Sequence, residues 1–167
     1  MNEQTRADWR WADKFFNSIS QILKENFGKN VTVTIAPSEL DLEQATDYLL
    51  DMDNKHIACR MREIKYFNNP RFRDFTIRSR RPTNAKTEWA KIKEGFGDYY
   101  FYGWGTVPKV AKYMIIDLHK FRASGLIENQ ERLDKEKHEK KNPQETRFRA
   151  IKPIWLDLKD CILYKNF

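Results

Sequence analysis

The sequence predicts a single α/β domain built on a central mixed β-sheet with helices on both sides. A length of 167 residues fits one domain of ordinary size. Hydrophobic residues make up 40% of the chain, which is enough for a packed core. Segments with helical and strand periodicity follow one another in the order helix, strands, helix, strands, which is typical of a sheet covered by helices.

The first predicted elements are a helix and a strand. From Trp9 to Phe27 apolar residues recur at three- and four-residue steps, and Gly28 follows as a stop signal. Residues from Val31 to Pro37 alternate and are β-branched, so they predict a strand that ends at the proline.

Two further strands, Thr46 to Met52 and Ile57 to Glu63, are predicted to form a hairpin. Asp53-Asn54 between them tolerates a tight turn. Counting outward from a two-residue loop places Asp47 opposite Arg60.

Four more elements complete the predicted core. They are a strand from Asp74 to Arg80, a helix from Ala85 to Gly95, and strands from Tyr99 to Trp104 and from Lys112 to Leu118. The first of the two later strands is almost entirely aromatic. This composition is typical of a buried central strand, and stacking on unpaired bases is the alternative.

The C-terminal part has a different composition. Residues from Glu128 to Arg149 carry many charges of both signs and predict a solvated helix and loop, whereas Ile154 to Tyr164 predict a terminal strand or short helix. We therefore divide the chain into a core over residues 1–127 and an extension over 128–167 that packs on it.

The net charge of +7 is concentrated in one segment. Between Lys55 and Lys93 there are twelve Lys and Arg residues against three acids, and the rest of the chain is slightly acidic. This concentration favours a surface that meets anions, with a solvated charged face as the alternative. The predicted partner is therefore the phosphate backbone of a nucleic acid, with DNA favoured over RNA.

The cellular setting is predicted to be the cytoplasm, without a membrane. Cys59 and Cys161 are the only cysteines in the sequence. Their spacing matches neither a zinc site nor the pattern of a disulfide-rich domain. The N-terminus is charged, and no segment approaches about 18 uninterrupted apolar residues. The oligomeric state has no signal in the sequence.

Alternation along two of the predicted strands places arginines on one face. If these strands are neighbours, their guanidinium groups crowd together, and a phosphate between them relieves the repulsion because each guanidinium can grip two oxygens. The alternative is that the arginines extend into water with Glu63 and Asp74 as partners. The predicted nucleic-acid-binding residues are Arg60, Arg62, Arg78, Arg80 and the adjacent Arg81.

The order of elements from Asp8 to Leu118 resembles the PD-(D/E)XK nuclease core. In ATDYLL, Asp47 matches the metal-binding aspartate of that family, and Arg60-Met61-Arg62 falls where a Glu-x-Lys motif stands in it. The resemblance implies a restriction-endonuclease-like fold. An arginine in place of the glutamate departs from the family pattern and repels a metal ion.

The resemblance also implies a reaction and its residues. Family members hold Mg²⁺ between the aspartate and the glutamate, and the lysine positions or deprotonates the attacking water. Asp47 is then the metal ligand, Asp74 or Glu88 supplies the second acid, and Glu88 and Lys91 come from a helix that lines the active site. The alternative for Glu88 and Lys91 is an exposed ion pair one helical turn apart.

Three functions follow as hypotheses. The first is Mg²⁺-dependent hydrolysis of phosphodiester bonds. The second is a catalytically silent module that binds DNA or RNA without a metal cofactor. The third is a phage-type inhibitor of a host protein. In that case an acidic surface of the host protein would take the place of the nucleic acid.

Overall fold

A mixed six-stranded sheet forms the centre of the computed structural model, which describes residues 11–81, 83, 85–136 and 147–167. Its strands lie in the order β1-β2-β3-β5-β6-β8, and β4 pairs with β7 in a separate two-stranded sheet. The strands are β1 (Val33–Ile35), β2 (Tyr48–Leu50), β3 (Lys55–Glu63), β4 (Phe75–Arg80), β5 (Tyr99–Thr106), β6 (Lys109–Asp117), β7 (Arg147–Ile151) and β8 (Ile162–Lys165).

One strand pair of the large sheet is parallel. β3 and β5 run in the same direction, and the other neighbours are antiparallel. A parallel pair needs a long crossover connection, and here the crossover contains β4 and two α-helices, one on each side of β4 in the chain. The aromatic strand β5 is the centre of the fold, because Tyr100, Phe101, Tyr102 and Trp104 are fully buried. This confirms the interpretation of that run as a buried strand.

Helices cover both faces of the sheet, as the sequence predicts. Ile19 and Leu23 pack on one face with Phe101, whereas Trp89 and Phe121 pack on the other with aromatic residues of β5. The helices are α1 (Phe16–Phe27), α2 (Ser38–Gln44), α3 (Ile64–Asn68), α4 (Glu88–Lys93), α5 (Leu118–Ala123), α6 (Leu126–Glu136) and α7 (Pro153–Leu158). Within the described ranges, no helix combines the length and apolar character that crossing a membrane requires.

Several boundaries differ from the predicted ones. The strand predicted from Val31 to Pro37 is shorter, and α2 and α3 form where no helix was predicted. The charged segment contains β7 after α6, and both α7 and β8 form where one terminal element was predicted. Trp9 and residues 137–146 of the charged segment lie outside the described residues, and the division of the chain at residue 127 stays a prediction.

The register of the β2-β3 hairpin differs by two residues from the predicted one. Leu50 lies opposite Lys55, and a four-residue turn joins the strands in place of the predicted two-residue loop. The backbone N–H of Asp47 donates to the carbonyl of Ile57, and its carboxylate accepts from the backbone N–H of Cys59. The predicted pairing of Asp47 with Arg60 is therefore wrong.

The strands that carry the predicted arginine patch are not neighbours. β3 pairs with β2 and β5, whereas β4 pairs with β7. Arg78 lies opposite Phe148, and Arg80 lies opposite Arg147. The expectation that Arg60, Arg62, Arg78 and Arg80 emerge side by side from two adjoining strands is wrong, because a strand from the C-terminal part takes the place beside β4.

Candidate functional site

A pocket of about 300 Å³ lies where β2, β3 and the crossover meet. This volume is at the lower end of the range for ligand-binding pockets. Apolar side chains form part of its wall, among them those of Ile35, Leu42 and Met61. Within the described residues, the charged lining side chains are four acids and four cations: Asp13, Asp41, Asp47 and Glu88, and Arg60, Arg78, Arg81 and Lys91.

Asp47 lines the pocket from the position directly before β2. Its main chain and its carboxylate both bond to β3, through Ile57 and Cys59, so the side chain is fixed at the hairpin. Burial raises the pKa of Asp47 well above its usual range, and the negative charge of Asp41 raises it further. Asp47 therefore holds a proton more readily than an exposed aspartate does.

Lys91 enters the pocket from α4 and is only 3% exposed. Lysine is almost never this buried without a partner. Its Nζ donates to the backbone carbonyl of Asp41 over 2.7 Å, which ties α4 to α2. Burial lowers the pKa of Lys91, and the negative charge of Asp41 opposes this effect. The pKa of Asp41 is raised by burial and lowered by Lys91.

Glu88 joins the two strands that carry the arginines. Thr87 caps the N-terminus of α4 by accepting from the N–H of Ala90, which places Glu88 in the first turn. Its carboxylate accepts from the backbone N–H of Arg78 at 3.2 Å and lies 3.8 Å from Nη1 of Arg60. Glu88 thereby brings these arginines together although their strands belong to different sheets.

Three arginines from the part of the chain that the structure describes line the pocket. Arg60 comes from β3, Arg78 from β4, and Arg81 directly follows β4. The Nε of Arg81 is buried and has no hydrogen-bond partner in the part of the chain that the structure describes. Burial lowers the pKa of Arg81, and the charge of Arg78 lowers it further. A buried donor without a partner is costly, which favours a hydrogen-bond acceptor at this position.

Three of the predicted site residues lie elsewhere. The Nη1 of Arg62 donates to the carbonyl of Phe72, and its guanidinium covers the ring of Tyr66 at 4.4 Å. Arg80 does not line the pocket. Asp74 also lies outside it, near Arg62, and burial raises its pKa. The pocket thus brings together Asp47, Glu88, Lys91, Arg60, Arg78 and Arg81 from the predicted set.

Asp13 and Asp41 are pocket residues that the sequence analysis missed. The signal for Asp41 is the order Pro37, Ser38, Glu39 and then Asp41, since a proline and early acids are typical of a helix start. Asp13 belongs to the predicted first helix, but no pattern in the sequence points it toward the other acids.

The carboxylates of the described residues do not form a ready site for a divalent cation. Among the described residues, no group of three or more His, Cys, Asp and Glu side chains is arranged to hold a metal ion. Asp47 accepts from Cys59, and Glu88 accepts from Arg78 and lies beside Arg60. The residues present therefore do not fit a preassembled Mg²⁺ site.

Comparison of the chain with protein-family models, with curated proteins and with solved structures finds no match.

Proposed function

We propose that the chain binds nucleic acid by holding a backbone phosphate in this pocket. The observation that carries the proposal is the presence of four cationic side chains around one cavity of about 300 Å³, those of Arg60, Arg78, Arg81 and Lys91. Guanidinium groups form paired, charge-assisted hydrogen bonds with phosphate oxygens, which supports a phosphate as the ligand.

The four described acids of the pocket oppose the charge of its four cations, and burial weakens this opposition for the three aspartates. Burial raises the pKa values of Asp13, Asp41 and Asp47, so these carboxyls favour the neutral form more than exposed acids do. Arginine stays charged because its ordinary pKa is far above neutrality. Each proton that the acids hold leaves the pocket with an excess of positive charge, and an arriving phosphate is then attracted.

Hydrolysis of the bound phosphodiester is a second candidate function. It is favoured by the convergence of Asp47, Glu88 and Lys91 on the pocket, since these are the residues that the resemblance to PD-(D/E)XK nucleases assigns to catalysis. The order of helix, hairpin, crossover helix and aromatic strand also supports a restriction-endonuclease-like core.

In that reaction the cations would stabilise the charge that develops on the phosphoryl oxygens. Burial lowers the pKa of Lys91, so its neutral amine is more accessible than that of an exposed lysine and can take a proton from the attacking water. Asp47 and Glu88 would orient that water. The requirement for Mg²⁺ is part of the test, because the carboxylates in the described ranges do not form a site for it beforehand.

The test incubates the protein with labelled DNA and RNA, as single strands and duplexes, in EDTA and then in Mg²⁺ or Mn²⁺. We expect binding in EDTA that weakens steeply with salt. If the pocket also cleaves nucleic acid, cleavage appears when metal is added. The Asp47→Asn variant should then lose cleavage and retain binding.

Asp53→Asn is the matched control, because Asp53 is an exposed acid in the hairpin turn at positive φ, where asparagine is tolerated. Binding without cleavage in any metal identifies a catalytically silent module. Absence of both binding and cleavage contradicts the proposal and directs the search to a protein target.

A further inference from the structure

Phe148 is an exposed aromatic residue beside the pocket. It lies on β7, where Ile151 turns toward the core and the ring of Phe148 is 42% exposed. The adjacent Arg149 points the other way, with its guanidinium over the buried Trp89 at 4.2 Å. A single exposed phenylalanine is common on protein surfaces, so the contacts that its ring makes decide what it can do.

The ring of Phe148 contacts two of the pocket arginines. The Cζ atom of Arg60 lies 4.3 Å from the ring centroid, and that of Arg78 lies 5.8 Å from it. Arg78 is also the residue directly opposite Phe148 in the β4-β7 pair. The same two guanidiniums therefore border both the cavity and the exposed ring, which places the ring one side chain away from the proposed phosphate position.

This arrangement has the chemistry of a nucleobase site. Aromatic rings stack on the faces of unpaired bases, and arginine adds a planar cationic surface to the stack. In a duplex the base faces are covered by neighbouring base pairs, so only an unpaired base can use such a ring. In a nucleotide, base and phosphate are joined through one sugar, which suits a ring adjacent to a phosphate pocket.

We propose that Phe148, with Arg60 and Arg78, stacks on an unpaired nucleobase next to the bound phosphate, so that the chain prefers single-stranded or frayed nucleic acid over duplex. This inference rests on the proposed function, because it takes the pocket to hold a phosphate. It adds a residue from the C-terminal part of the chain to the site and names the strandedness of the ligand.

The experiment measures the affinity of the full chain for a fluorescent 12-nucleotide single strand and for the matching duplex, in EDTA, with DNA and RNA versions of both. The variants are Phe148→Ala, Phe148→Leu and Phe148→Trp. Leucine keeps the apolar contact with the arginines but removes the aromatic face, and tryptophan enlarges that face. Trp155→Ala is the control, since Trp155 is a 53% exposed aromatic residue that does not line the pocket.

We expect Phe148→Ala and Phe148→Leu to weaken single-strand binding by roughly 5- to 150-fold, the range for loss of one base stack, and to change duplex binding by less than about twofold. Phe148→Trp should retain single-strand affinity, and Trp155→Ala should change neither. With an oligonucleotide of abasic sites, the wild-type chain and Phe148→Leu should bind equally.

Other results overturn the inference. Full single-strand affinity in Phe148→Leu, or equal losses for single strand and duplex, would show that the ring only packs against the arginines, while the phosphate pocket would stand. Failure of the wild-type chain to bind any of the four ligands would overturn the proposed function as well.

Discussion

Arg60 and Arg62 of β3 have different surroundings, although the sequence makes the two positions look equivalent. Arg60 and Arg62 are two residues apart, so their side chains leave the strand on the same face. Arg60 lines the pocket and lies between Glu88 and the ring of Phe148. Arg62 instead bonds to the turn that follows α3, at the carbonyl of Phe72.

The contrast between Arg60 and Arg62 shows that the neighbouring elements determine the role of each cation. At Arg60 the neighbours are α4 and β7, which leave a cavity beside the guanidinium. At Arg62 they are α3 and the turn after it, which use the guanidinium to hold the backbone. A cluster of positive charge in a sequence therefore identifies a segment, and the structure separates its structural cations from those available to a ligand.

The largest effect is expected when two cations of the pocket are removed, compared with the removal of two cations outside it. Arg60→Gln combined with Arg81→Gln should weaken oligonucleotide binding by about 100-fold or more, because each lost charge-assisted hydrogen bond costs about 1.5–3 kcal/mol. Arg62→Gln combined with Arg80→Gln removes the same charge outside the pocket and should cost less than about threefold. Fluorescence anisotropy at a fixed salt concentration measures both.

The salt dependence of binding separates the loss of phosphate contacts from the loss of total charge. Each lost phosphate contact should flatten the slope of log K against log salt by about 0.7–0.9. Equal losses of affinity and slope in the two double variants would show that total charge, and not the pocket, attracts the ligand.

A smaller effect is expected from replacing Asp47, one of the acids of the pocket. Asp47→Asn should raise the free energy of unfolding near pH 8, because the folded state raises the pKa of Asp47 well above its usual range and an ionised Asp47 is therefore costly to bury. Urea denaturation at a series of pH values measures the change.

The sign follows from the raised pKa. Below the usual pKa of 3.8 the carboxyl is protonated in both the folded and the unfolded chain, so the variant gains nothing. As the pH rises, the unfolded chain releases the proton first, and the wild-type chain loses stability until the folded carboxyl also ionises. A stability gain that is constant over pH, or larger in acid, would contradict the raised pKa of Asp47.

The smallest effect is expected on the free energy of unfolding when Arg62, the cation that holds the backbone, is replaced. Arg62→Gln should lower the free energy of unfolding by about 1 kcal/mol, because it removes a hydrogen bond to Phe72 and the stacking on Tyr66. Arg81→Gln should not destabilise the chain, because it removes a partly buried charge. Chemical denaturation of both variants at neutral pH compares them, and the reverse order would undo the distinction between the two regions.

Local patterns in the sequence predict much of the fold. The alternation in DFTIRSR predicts β4, and the aromatic run predicts the buried centre of the sheet. Hydrophobic spacing also predicts helices on both faces. These features depend on residues close together in the chain, where periodicity and burial are directly linked.

The partners of the strands are not predictable in this way. β4 pairs with β7, about seventy residues further along the chain, and that choice depends on how the whole chain packs. The prediction therefore grouped Arg60 and Arg62 with Arg78 and Arg80, whereas the pocket selects Arg60, Arg78 and Arg81. Phe148 was missed because its strand lies in a charged segment, although RFRAI does alternate.

The bond from Lys91 to the carbonyl of Asp41 spans fifty residues, and the other walls of the cavity come from equally distant parts of the chain. No short fragment can reproduce this cavity, so only the native fold offers it to a ligand. Any occupant then shifts the folding equilibrium by mass action, by about 2.7 kcal/mol at a concentration one hundred times its Kd. Thermal denaturation in the presence of candidate compounds thus becomes a screen in which a rise in melting temperature reveals what the cavity accepts.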